Sequence, residues 1–300
     1  MTPIAQGQCV SKDLIAPLRD SLADIGSAET LNKRIAAEGY LFFRRFFDPE
    51  EVKRTRTDVF SSLAAVGEIV GEPAHGIFSG KSERREKAKD LGVFWRSVSE
   101  QWSLRRISHG TDLHNLAGRI LGESARAQDY VFLRPTNPGK FTHLHCDAPF
   151  FTRETTDVVT VWIALSDVPV SLGPLFIVAG SHQDPSVQAH YKDFDVARDT
   201  NRQAALVQTP RDYASKHSTQ LLTTDFAAGD IVVFGMHTLH GTFDNTDPDG
   251  KCRLSCDVRY QPAAAPQDPR YFGPNPSGTT GAGYGELVGA KPMTDAWHVR

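Results

Sequence analysis

A His-x-Asp tripeptide gives this sequence its clearest capacity for chemistry. His145 and Asp147 flank Cys146 at the end of Phe141–His145, a run whose composition predicts a β-strand. Because strand side chains alternate between two faces, residues 145 and 147 are expected to project to the same side, close enough to bind one ion. A second, distant histidine would complete a 2-His-1-carboxylate set, which suits non-haem iron and leaves coordination positions open for other ligands.

The second histidine has two candidates, His237 and His240. Both follow Ile231–Phe234, an apolar run that predicts a buried strand, and Gly241 stands directly beside the second of them. A histidine just after a core strand can reach inward to an ion at the mouth of a barrel. Position alone leaves the choice open, and at least one of the two is expected to be a structural histidine. Thiolate ligands are absent from the pattern, which disfavours a structural zinc site.

Two other pairs of reactive residues have simpler interpretations. Cys252 and Cys256 lie in a run that alternates like a strand and have no second pair, so packing in a sheet is favoured over metal binding. Ser181-His182 lacks the surrounding G-x-S-x-G pattern of a nucleophile elbow, which argues against Ser/His catalysis. The four cysteines are too few and too irregular for a disulfide scaffold, which fits a reducing cytoplasm.

The elements that would position these residues change in character near residue 125. Before that point the apolar spacing is mainly helical, starting with a helix predicted from Lys12 to about Glu38. Gly39 then precedes Tyr40–Phe43, which has the composition of a strand. Asp48-Pro49 is typical of a helix start, with Asp48 as the cap and Pro49 at the first helical position.

After residue 125 the sequence is typical of β-structure. Short β-branched and aromatic runs alternate with breaks at Gly, Pro, Asn and Asp, which predicts a β-sandwich or barrel faced by the earlier helices. We expect one domain over residues 1–300, with a helical part at about 1–125, a β-core at about 126–262 and a Pro/Gly-rich tail at 263–300 that wraps the surface or closes over a site. The runs are Tyr130–Leu133, Phe141–His145, Val158–Leu165, Leu175–Val178, Gln220–Thr224, Ile231–Phe234 and Leu254–Tyr260.

Charge and hydropathy exclude several kinds of partner. The net charge is −3 and the basic residues are scattered, so neither nucleic acid nor an anionic membrane surface is expected as a partner. No apolar stretch approaches the ~18 residues of a membrane-spanning helix. Residues 1–14 show no apolar segment after a basic start, so no secretory signal is predicted and a cytoplasmic location is expected. The sequence leaves the oligomeric state open.

Several short motifs together resemble the phytanoyl-CoA dioxygenase family of Fe(II)- and 2-oxoglutarate-dependent oxygenases. They occur in the family's order between about residues 38 and 262. The resemblance implies a double-stranded β-helix, a jelly-roll or cupin-like barrel, so the expected fold class is mainly β with helices (α+β). The motifs are Glu38-Gly39-Tyr40-Leu41, Phe47-Asp48-Pro49-Glu50-Glu51-Val52, His145-x-Asp147, Gly173-Pro174-Leu175, Ala179-Gly180-Ser181-His182, Gly229-Asp230, and His240-Gly241 followed by Asn245.

The resemblance assigns roles to individual residues. It makes His240 the third metal ligand beside His145 and Asp147, and Arg253 the anchor of 2-oxoglutarate. A guanidinium pairs bidentately with a carboxylate, which suits the distal end of this diacid. Arg259 is the alternative anchor, because it shares the face of Arg253. Shorter distance from the metal favours Arg253.

Further candidates surround this core of the site. Thr142 and Trp162 resemble residues that contact or line the co-substrate pocket in related enzymes, and Ser255 shares the face of Arg253 and would add a hydroxyl. Gln128 is predicted to face the same cavity as a co-substrate contact. The residues predicted to line the substrate pocket are His143, Phe150, Phe151 and Arg134, with Phe78 and Trp95 from the helical half as further candidates.

The function implied is that of a dioxygenase using Fe(II), 2-oxoglutarate and O2. It would hydroxylate an aliphatic C–H bond of a small metabolite and form succinate and CO2. Desaturation, epoxidation or rearrangement would use the same centre, and a small natural product of secondary metabolism or an amino-acid-like metabolite is the preferred substrate class. Two alternatives stand beside this reading: a non-redox metal-dependent isomerase or hydrolase on the same barrel, and a non-catalytic ligand-binding homologue.

Overall fold

The computed structural model describes residues 2–88, 90–274, 276 and 278. Within them, nine α-helices and fourteen strands are separated by turns and five short 3-10 helices. The helices are α1 Ala28–Glu38, α2 Pro49–Ala65, α3 Arg84–Lys87, α4 Leu91–Ser99, α5 Trp102–His109, α6 Thr111–Leu121, α7 Ala148–Phe151, α8 Pro185–Tyr191 and α9 Pro210–Lys216. The strands are β1 Ile4–Ala5, β2 Gln8–Cys9, β3 Ile15–Pro17, β4 Tyr40–Phe43, β5 Ile69–Val70, β6 Ile77–Phe78, β7 Ala125–Ala127, β8 Phe132–Thr136, β9 Val159–Ala164, β10 Leu175–Val178, β11 Leu221–Thr223, β12 Ile231–Gly235, β13 His240–Thr242 and β14 Arg253–Pro262.

Two sheets form the core of the fold. The larger has the order β4-β12-β9-β14-β7, with β8 also paired to β14, and all of its pairings are antiparallel. The smaller has the order β13-β10-β11-β3, in which only β11 and β3 run parallel. This mainly β architecture with helices confirms the predicted fold class. None of the helices in the described residues is long and apolar enough to cross a membrane.

The two faces of the large sheet have different partners. The outer face presents Leu41, Val161, Val233 and Leu254 to an apolar core shared with α1, α2, α5 and α6. The inner face presents Phe42, Trp162, Val232 and Phe234, which pack against residues of the small sheet in a separate cluster. Strand alternation therefore divides the apolar residues between the two sides. The predicted helices face the large sheet.

Local signals in the sequence are confirmed at the edges of these elements. The side chain of Asp48 accepts hydrogen bonds from the backbone N–H groups of Glu50 and Glu51, so it caps α2 as predicted. Gly39 ends α1 with φ of +81°, a left-handed conformation that glycine adopts without a steric penalty. The strands β4 and β10 have the predicted limits.

The helix predicted from Lys12 to about Glu38 is wrong over its first half. Only Ala28–Glu38 is an α-helix, while Ile15–Pro17 is a strand paired with β11. The apolar residues at three- and four-residue spacing are divided among a 3-10 turn, this strand and a second 3-10 turn. Because the backbone of residues 15–17 pairs with a neighbouring strand, tertiary pairing outweighs the local helical period.

The predicted strand Phe141–His145 is also wrong. His145 makes only an isolated bridge to His240, and the rest of the segment is a loop. Its backbone N–H groups find side-chain acceptors instead: Thr142 donates to the hydroxyl of Thr242, and Leu144 donates to the amide oxygen of Gln6. The segment is therefore held in place without belonging to a sheet.

The described part of the predicted tail packs on α7, which follows the loop at residues 141–145. The hydroxyl of Tyr271 and the guanidinium of Arg270 both donate to the carbonyl oxygen of Phe150, at 2.8 and 3.1 Å. Residues 268–272 therefore cover α7. The prediction that the tail wraps the surface or closes over a site concerns mostly residues 279–300, which lie outside the described residues. The division into one domain with the stated boundaries stays a prediction.

We predict that Gly173→Ala destabilises the fold. Gly173 has φ of +69°, and a Cβ there would lie 2.3 Å from the carbonyl oxygen of Phe243. Strain and backbone overlap together should lower the free energy of unfolding by about 2 kcal/mol or more, measured by urea denaturation. Gly235→Ala is the control, because a Cβ at Gly235 meets no atom within 4 Å. Equal unfolding midpoints for the two variants would contradict the prediction.

Candidate metal centre

A reciprocal pair of backbone hydrogen bonds brings two histidines together from distant parts of the chain. The N–H of His145 donates to the carbonyl oxygen of His240 at 3.0 Å, and the N–H of His240 donates back to that of His145 at 2.8 Å. Their rings consequently lie with centroids 4.2 Å apart. Since His240 begins β13, the small sheet fixes the position of the loop that carries His145.

Hydrogen bonds to the backbone also orient both imidazoles. Nδ1 of His145 lies 2.8 Å from the carbonyl oxygen of His143, and Nδ1 of His240 lies 3.0 Å from that of Thr238. A carbonyl only accepts, so each Nδ1 carries the hydrogen and each Nε2 presents a lone pair. Metal-binding histidines commonly have this arrangement, in which the second ring nitrogen donates to a fixed acceptor.

Asp147 completes the cluster from the start of α7. Its Oδ1 lies 3.6 Å from Nε2 of His145 and 3.8 Å from Nε2 of His240. One ligand atom from each of the three residues lies within 4.8 Å of the others, and all three residues are buried. The cluster predicted from sequence is therefore present. His145 and Asp147 converge through a loop and a helix start, however, rather than through the alternation of a strand.

The electrostatics of the cluster suit a cation. Burial, followed by the nearby His145, lowers the pKa of His240 to about 3, so that this imidazole is neutral at pH 7 and free to coordinate. Burial raises the pKa of Asp147, but Arg259 and the two histidines outweigh it and hold that pKa well below its ordinary value. The imidazoles of His145 and His240 and the carboxylate of Asp147 therefore form the donor set. His237, the alternative histidine, lies in a turn outside the cluster.

Arg253 is fully buried on the same inward face of β14 as Arg259. The expectation that Arg253 lies nearer the metal ligands than Arg259 is wrong, because Nη2 of Arg259 lies 2.8 Å from Oδ2 of Asp147, whereas Arg253 contacts none of the three ligand candidates. Its Nη2 donates to the hydroxyl of Thr136 at 2.8 Å, and its Nη1 donates to the carbonyl oxygen of Gly173. Its Nε has no partner, and no carboxylate of the described residues forms an ion pair with it. Burial, followed by repulsion from Arg134, lowers the pKa of Arg253 to about 10, which still leaves it charged at pH 7. The interior thus contains a cation that forms no ion pair within the described part of the chain.

The other predicted co-substrate residues lie on this interior in different ways. The hydroxyl of Ser255 is buried without a hydrogen-bond partner among the described residues, on the face of β14 that carries Arg253. Thr142 is joined to Thr242 by two hydrogen bonds and so lies beside β13. Trp162 packs on Phe226, with ring centroids 4.8 Å apart. Trp162 is therefore part of the inner apolar cluster.

Gln128 lies at a different end of β14. Its N–H donates to the carbonyl oxygen of Arg259 at 2.8 Å, and its buried side-chain oxygen has no partner among the described residues. Arg253 is six residues away along the strand, which corresponds to about 20 Å at the usual rise. A direct contact of Gln128 with the same carboxylate as Arg253 is therefore not favoured by this placement.

The residues predicted for the substrate pocket separate into two groups. Phe150 lies against His145, with ring centroids 6.1 Å apart, and Phe151 packs on Arg259. His143 is half-buried and its Nε2 has no partner among the described residues. Arg134 forms an ion pair with Asp257, so its charge is already compensated.

The two candidates from the helical half lie apart from the cluster. Trp95 is buried in the outer core, where the guanidinium of Arg84 lies 4.5 Å from its ring. Phe78 forms a short two-stranded sheet with Ile69. Neither contact involves a residue of the metal cluster.

Sequence reasoning missed the partners of Asp147. Its Oδ2 accepts from the hydroxyl of Thr160 at 2.6 Å and from Nη2 of Arg259 at 2.8 Å. Asp257 lies 3.7 Å from the same Nη2 and also pairs with Arg134. The available signal was the even spacing of charged residues at 253, 257 and 259, which places them on one face of β14.

Comparison with known proteins agrees with this arrangement of two sheets and three metal-ligand candidates. The family model of phytanoyl-CoA dioxygenase (PhyH) matches residues 35–251. The chain therefore belongs to the phytanoyl-CoA dioxygenase family, which confirms the resemblance seen in the sequence. No protein of curated function matches the chain significantly.

Solved structures with the same fold include three that cover most of the chain. The epimerase SnoN, in complex with Fe3+, alpha ketoglutarate and nogalamycin RO, is 21% identical, with a TM-score of 0.54 over 82% of this chain and 86% of that one. The non-heme alpha ketoglutarate dependent carbocyclase SnoK from nogalamycin biosynthesis is 20% identical, with a TM-score of 0.53 over 93% and 95%. EctD from S. alaskensis, in its apoform, is 14% identical, with a TM-score of 0.53 over 98% and 96%.

We predict that Asp147→Asn abolishes divalent metal binding while the chain still folds. The amide is nearly isosteric but lacks the negative charge that the cation needs. Added Mn2+ should raise the thermal unfolding midpoint of the unsubstituted protein by mass action and should not shift that of the variant. His237→Ala, a neighbouring histidine outside the cluster, should retain the full shift. A shift in Asp147→Asn equal to that of the unsubstituted protein would remove Asp147 from the ligand set.

Proposed function

We propose that this protein is an Fe(II)- and 2-oxoglutarate-dependent oxygenase that hydroxylates an aliphatic C–H bond of a small metabolite. One observation carries the proposal: the inner face of β14 carries Arg259, which contacts Asp147 of the buried cluster, and Arg253, a buried cation that has no carboxylate partner among the described residues. A chelating diacid satisfies both features, because one end can bind the metal and the other can pair with the guanidinium.

The balance of buried charge supports a dianionic co-substrate. Asp147 pairs with Arg259, and Asp257 lies between Arg259 and Arg134. The charges of these two carboxylates and two guanidinium groups compensate one another. The positive charge of Arg253 has no such partner among the described residues. Since an unpaired buried charge is costly, a ligand carboxylate at Arg253 would be strongly favoured. The hydroxyl of Ser255 on the same face, which has no hydrogen-bond partner in the described ranges, offers a further hydrogen bond.

The residues of the chain would bind and orient the metal and the co-substrate. They would also exclude water from the reacting groups. His145, Asp147 and His240 would hold the metal, and a set of three protein ligands would leave three positions, two for a chelating co-substrate and one for dioxygen. Iron with 2-oxoglutarate and dioxygen supplies the oxidising power that converts C–H to C–OH while the co-substrate becomes succinate and CO2. Phe150, beside His145, would help to keep that volume dry.

The substrate class is proposed on charge and size. We infer a small natural product or an amino-acid-like metabolite, because the scattered basic residues provide no evident track for the phosphates of an acyl-CoA. Phe150, Phe151 and His143 stay the proposed lining of its pocket. Epimerisation or ring closure are alternative outcomes of the same oxidising centre. A cytoplasmic location stays a prediction.

The two rival functions need no diacid. A non-redox isomerase or hydrolase would use the metal cluster alone, and a non-catalytic homologue would need neither the metal nor the clamp. The burial of an uncompensated Arg253 favours the oxygenase, since neither rival explains its retention in the interior.

We predict that the protein turns over 2-oxoglutarate in the presence of Fe(II). Anaerobic addition of both should produce a weak visible charge-transfer band, and admission of air should then yield succinate. Asp147→Asn serves as the control that lacks a complete ligand set. Absence of both the band and succinate in the unsubstituted protein would favour one of the rivals.

We predict that Arg253→Ala weakens 2-oxoglutarate binding and leaves metal affinity unchanged. Loss of one partner of a buried, hydrogen-bonded charge pair costs about 2 kcal/mol or more, which corresponds to an increase of about 30-fold in the dissociation constant. Isothermal titration of the Mn2+-loaded protein measures it. Arg253→Lys keeps the charge but loses the forked guanidinium. Its dissociation constant for 2-oxoglutarate should therefore lie between those of the unsubstituted protein and Arg253→Ala. Unchanged affinity in Arg253→Ala would refute the assignment of this anchor.

A further inference from the structure

The two carboxylate oxygens of Asp147 have different surroundings. Oδ1 faces the histidine Nε2 atoms at 3.6 and 3.8 Å. Oδ2 accepts two hydrogen bonds, from the hydroxyl of Thr160 at 2.6 Å and from Nη2 of Arg259 at 2.8 Å. Thr160 and Arg259 are also joined directly, because Nε of Arg259 donates to the threonine hydroxyl at 3.2 Å. The carboxylate is therefore held by two donors that contact each other.

The donors themselves are fixed by their surroundings. The guanidinium of Arg259 lies 4.1 Å from the ring centroid of Phe151 and 4.7 Å from that of Phe132. Arg259 and Thr160 face each other across the β9–β14 pair, and both are almost completely buried. Both side chains are therefore shielded from solvent and packed in place beside Oδ2. The orientation of the Asp147 carboxylate is therefore set before any ligand arrives.

We propose that Arg259 and Thr160 are positioning residues that limit Asp147 to coordination through Oδ1 alone. This inference rests on the proposed function. A carboxylate that bound through both oxygens would occupy one more coordination position. Because the proposed reaction uses all three open positions, two for the chelating diacid and one for dioxygen, single-oxygen coordination is required for it.

Arg259 has a rival role as a direct contact of the co-substrate. Its Nη1 is buried and has no partner among the described residues, so both N–H groups of Nη1 are available. The geometry favours positioning, since Nη2 and Nε of Arg259 are already engaged by Asp147 and Thr160. A positioning role predicts a change in the dissociation constant of the metal, whereas a direct contact predicts a change in that of 2-oxoglutarate.

A matched control exists elsewhere in the fold. Arg84 and Glu68 form a buried ion pair whose side chains are 4% and 3% exposed, and the guanidinium of Arg84 stacks on Trp95 much as that of Arg259 stacks on Phe151. Its loss should cost stability in a comparable way without touching the metal cluster. If loss of Arg259 weakens metal binding and loss of Arg84 does not, Arg259 acts by positioning and is not merely part of a structural ion pair.

The experiment compares Thr160→Val, Arg259→Gln, Arg259→Lys and Arg84→Gln with the unsubstituted protein. Calorimetric titration gives the dissociation constant for Co2+, and then the constant for 2-oxoglutarate at saturating Co2+. The visible spectrum of bound Co2+ reports a change in its coordination. We expect Co2+ to bind about tenfold more weakly in Thr160→Val and about 10- to 100-fold more weakly in Arg259→Gln, since partners of metal ligands typically contribute that much.

Two variants serve as controls, and two results would overturn the proposal. Arg259→Lys should recover part of the affinity, and Arg84→Gln should bind Co2+ as the unsubstituted protein does while unfolding at a lower temperature. Weaker 2-oxoglutarate binding in Arg259→Gln, with Co2+ affinity and spectrum unchanged, would overturn the proposal in favour of the rival role. Unchanged Co2+ affinity in Thr160→Val would overturn it even if Arg259→Gln did not fold. If the unsubstituted protein bound no Co2+, the proposed function itself would fail.

Discussion

The mutual backbone hydrogen bonds between His145 and His240 are the constraint on which the centre depends. They join a loop to the first residue of β13 and so fix the separation of two imidazoles that are almost a hundred positions apart in the sequence. The ring nitrogens that do not face the cluster are bonded to carbonyls two residues earlier, at His143 and Thr238. Main-chain geometry, rather than side-chain packing alone, therefore defines two of the three metal-ligand candidates.

Charge is distributed along the inner face of β14 in a consistent order. Near the metal cluster, Arg259 and Asp257 are paired with Asp147 and Arg134, so each charge has an opposite neighbour. At the other end, Arg253 is bonded only to neutral oxygens. Compensated charges hold the scaffold in place, and the uncompensated one is available to a ligand. The same strand thus serves both purposes at different points along its length.

The sequence predicted most of the fold and the ligand cluster, for identifiable reasons. Strands with a continuous apolar run, such as Leu175–Val178, and helix starts with a cap, such as Asp48, have local signals that the tertiary structure keeps. The helix predicted at residues 12–27 and the strand predicted at residues 141–145 are wrong, because the backbones of these segments hydrogen-bond to distant parts of the chain. The contacts of Asp147 with Thr160 and Arg259 were equally invisible, since they join three separate parts of the chain.

Strict alternation along β14 limits how this region can diverge. Leu254, Cys256 and Val258 face the helical core, whereas the alternating residues Arg253, Ser255, Asp257 and Arg259 face the interior. One inserted or deleted residue within the strand would exchange the two sets, burying guanidinium groups among helices and exposing the metal to thiols and aliphatic groups. The preceding loop at residues 246–251 lies outside β14, so a change in its length does not exchange the two sets. Homologous sequences should therefore align through β14 without gaps, which makes this strand a reliable reference for comparing distant members of the family.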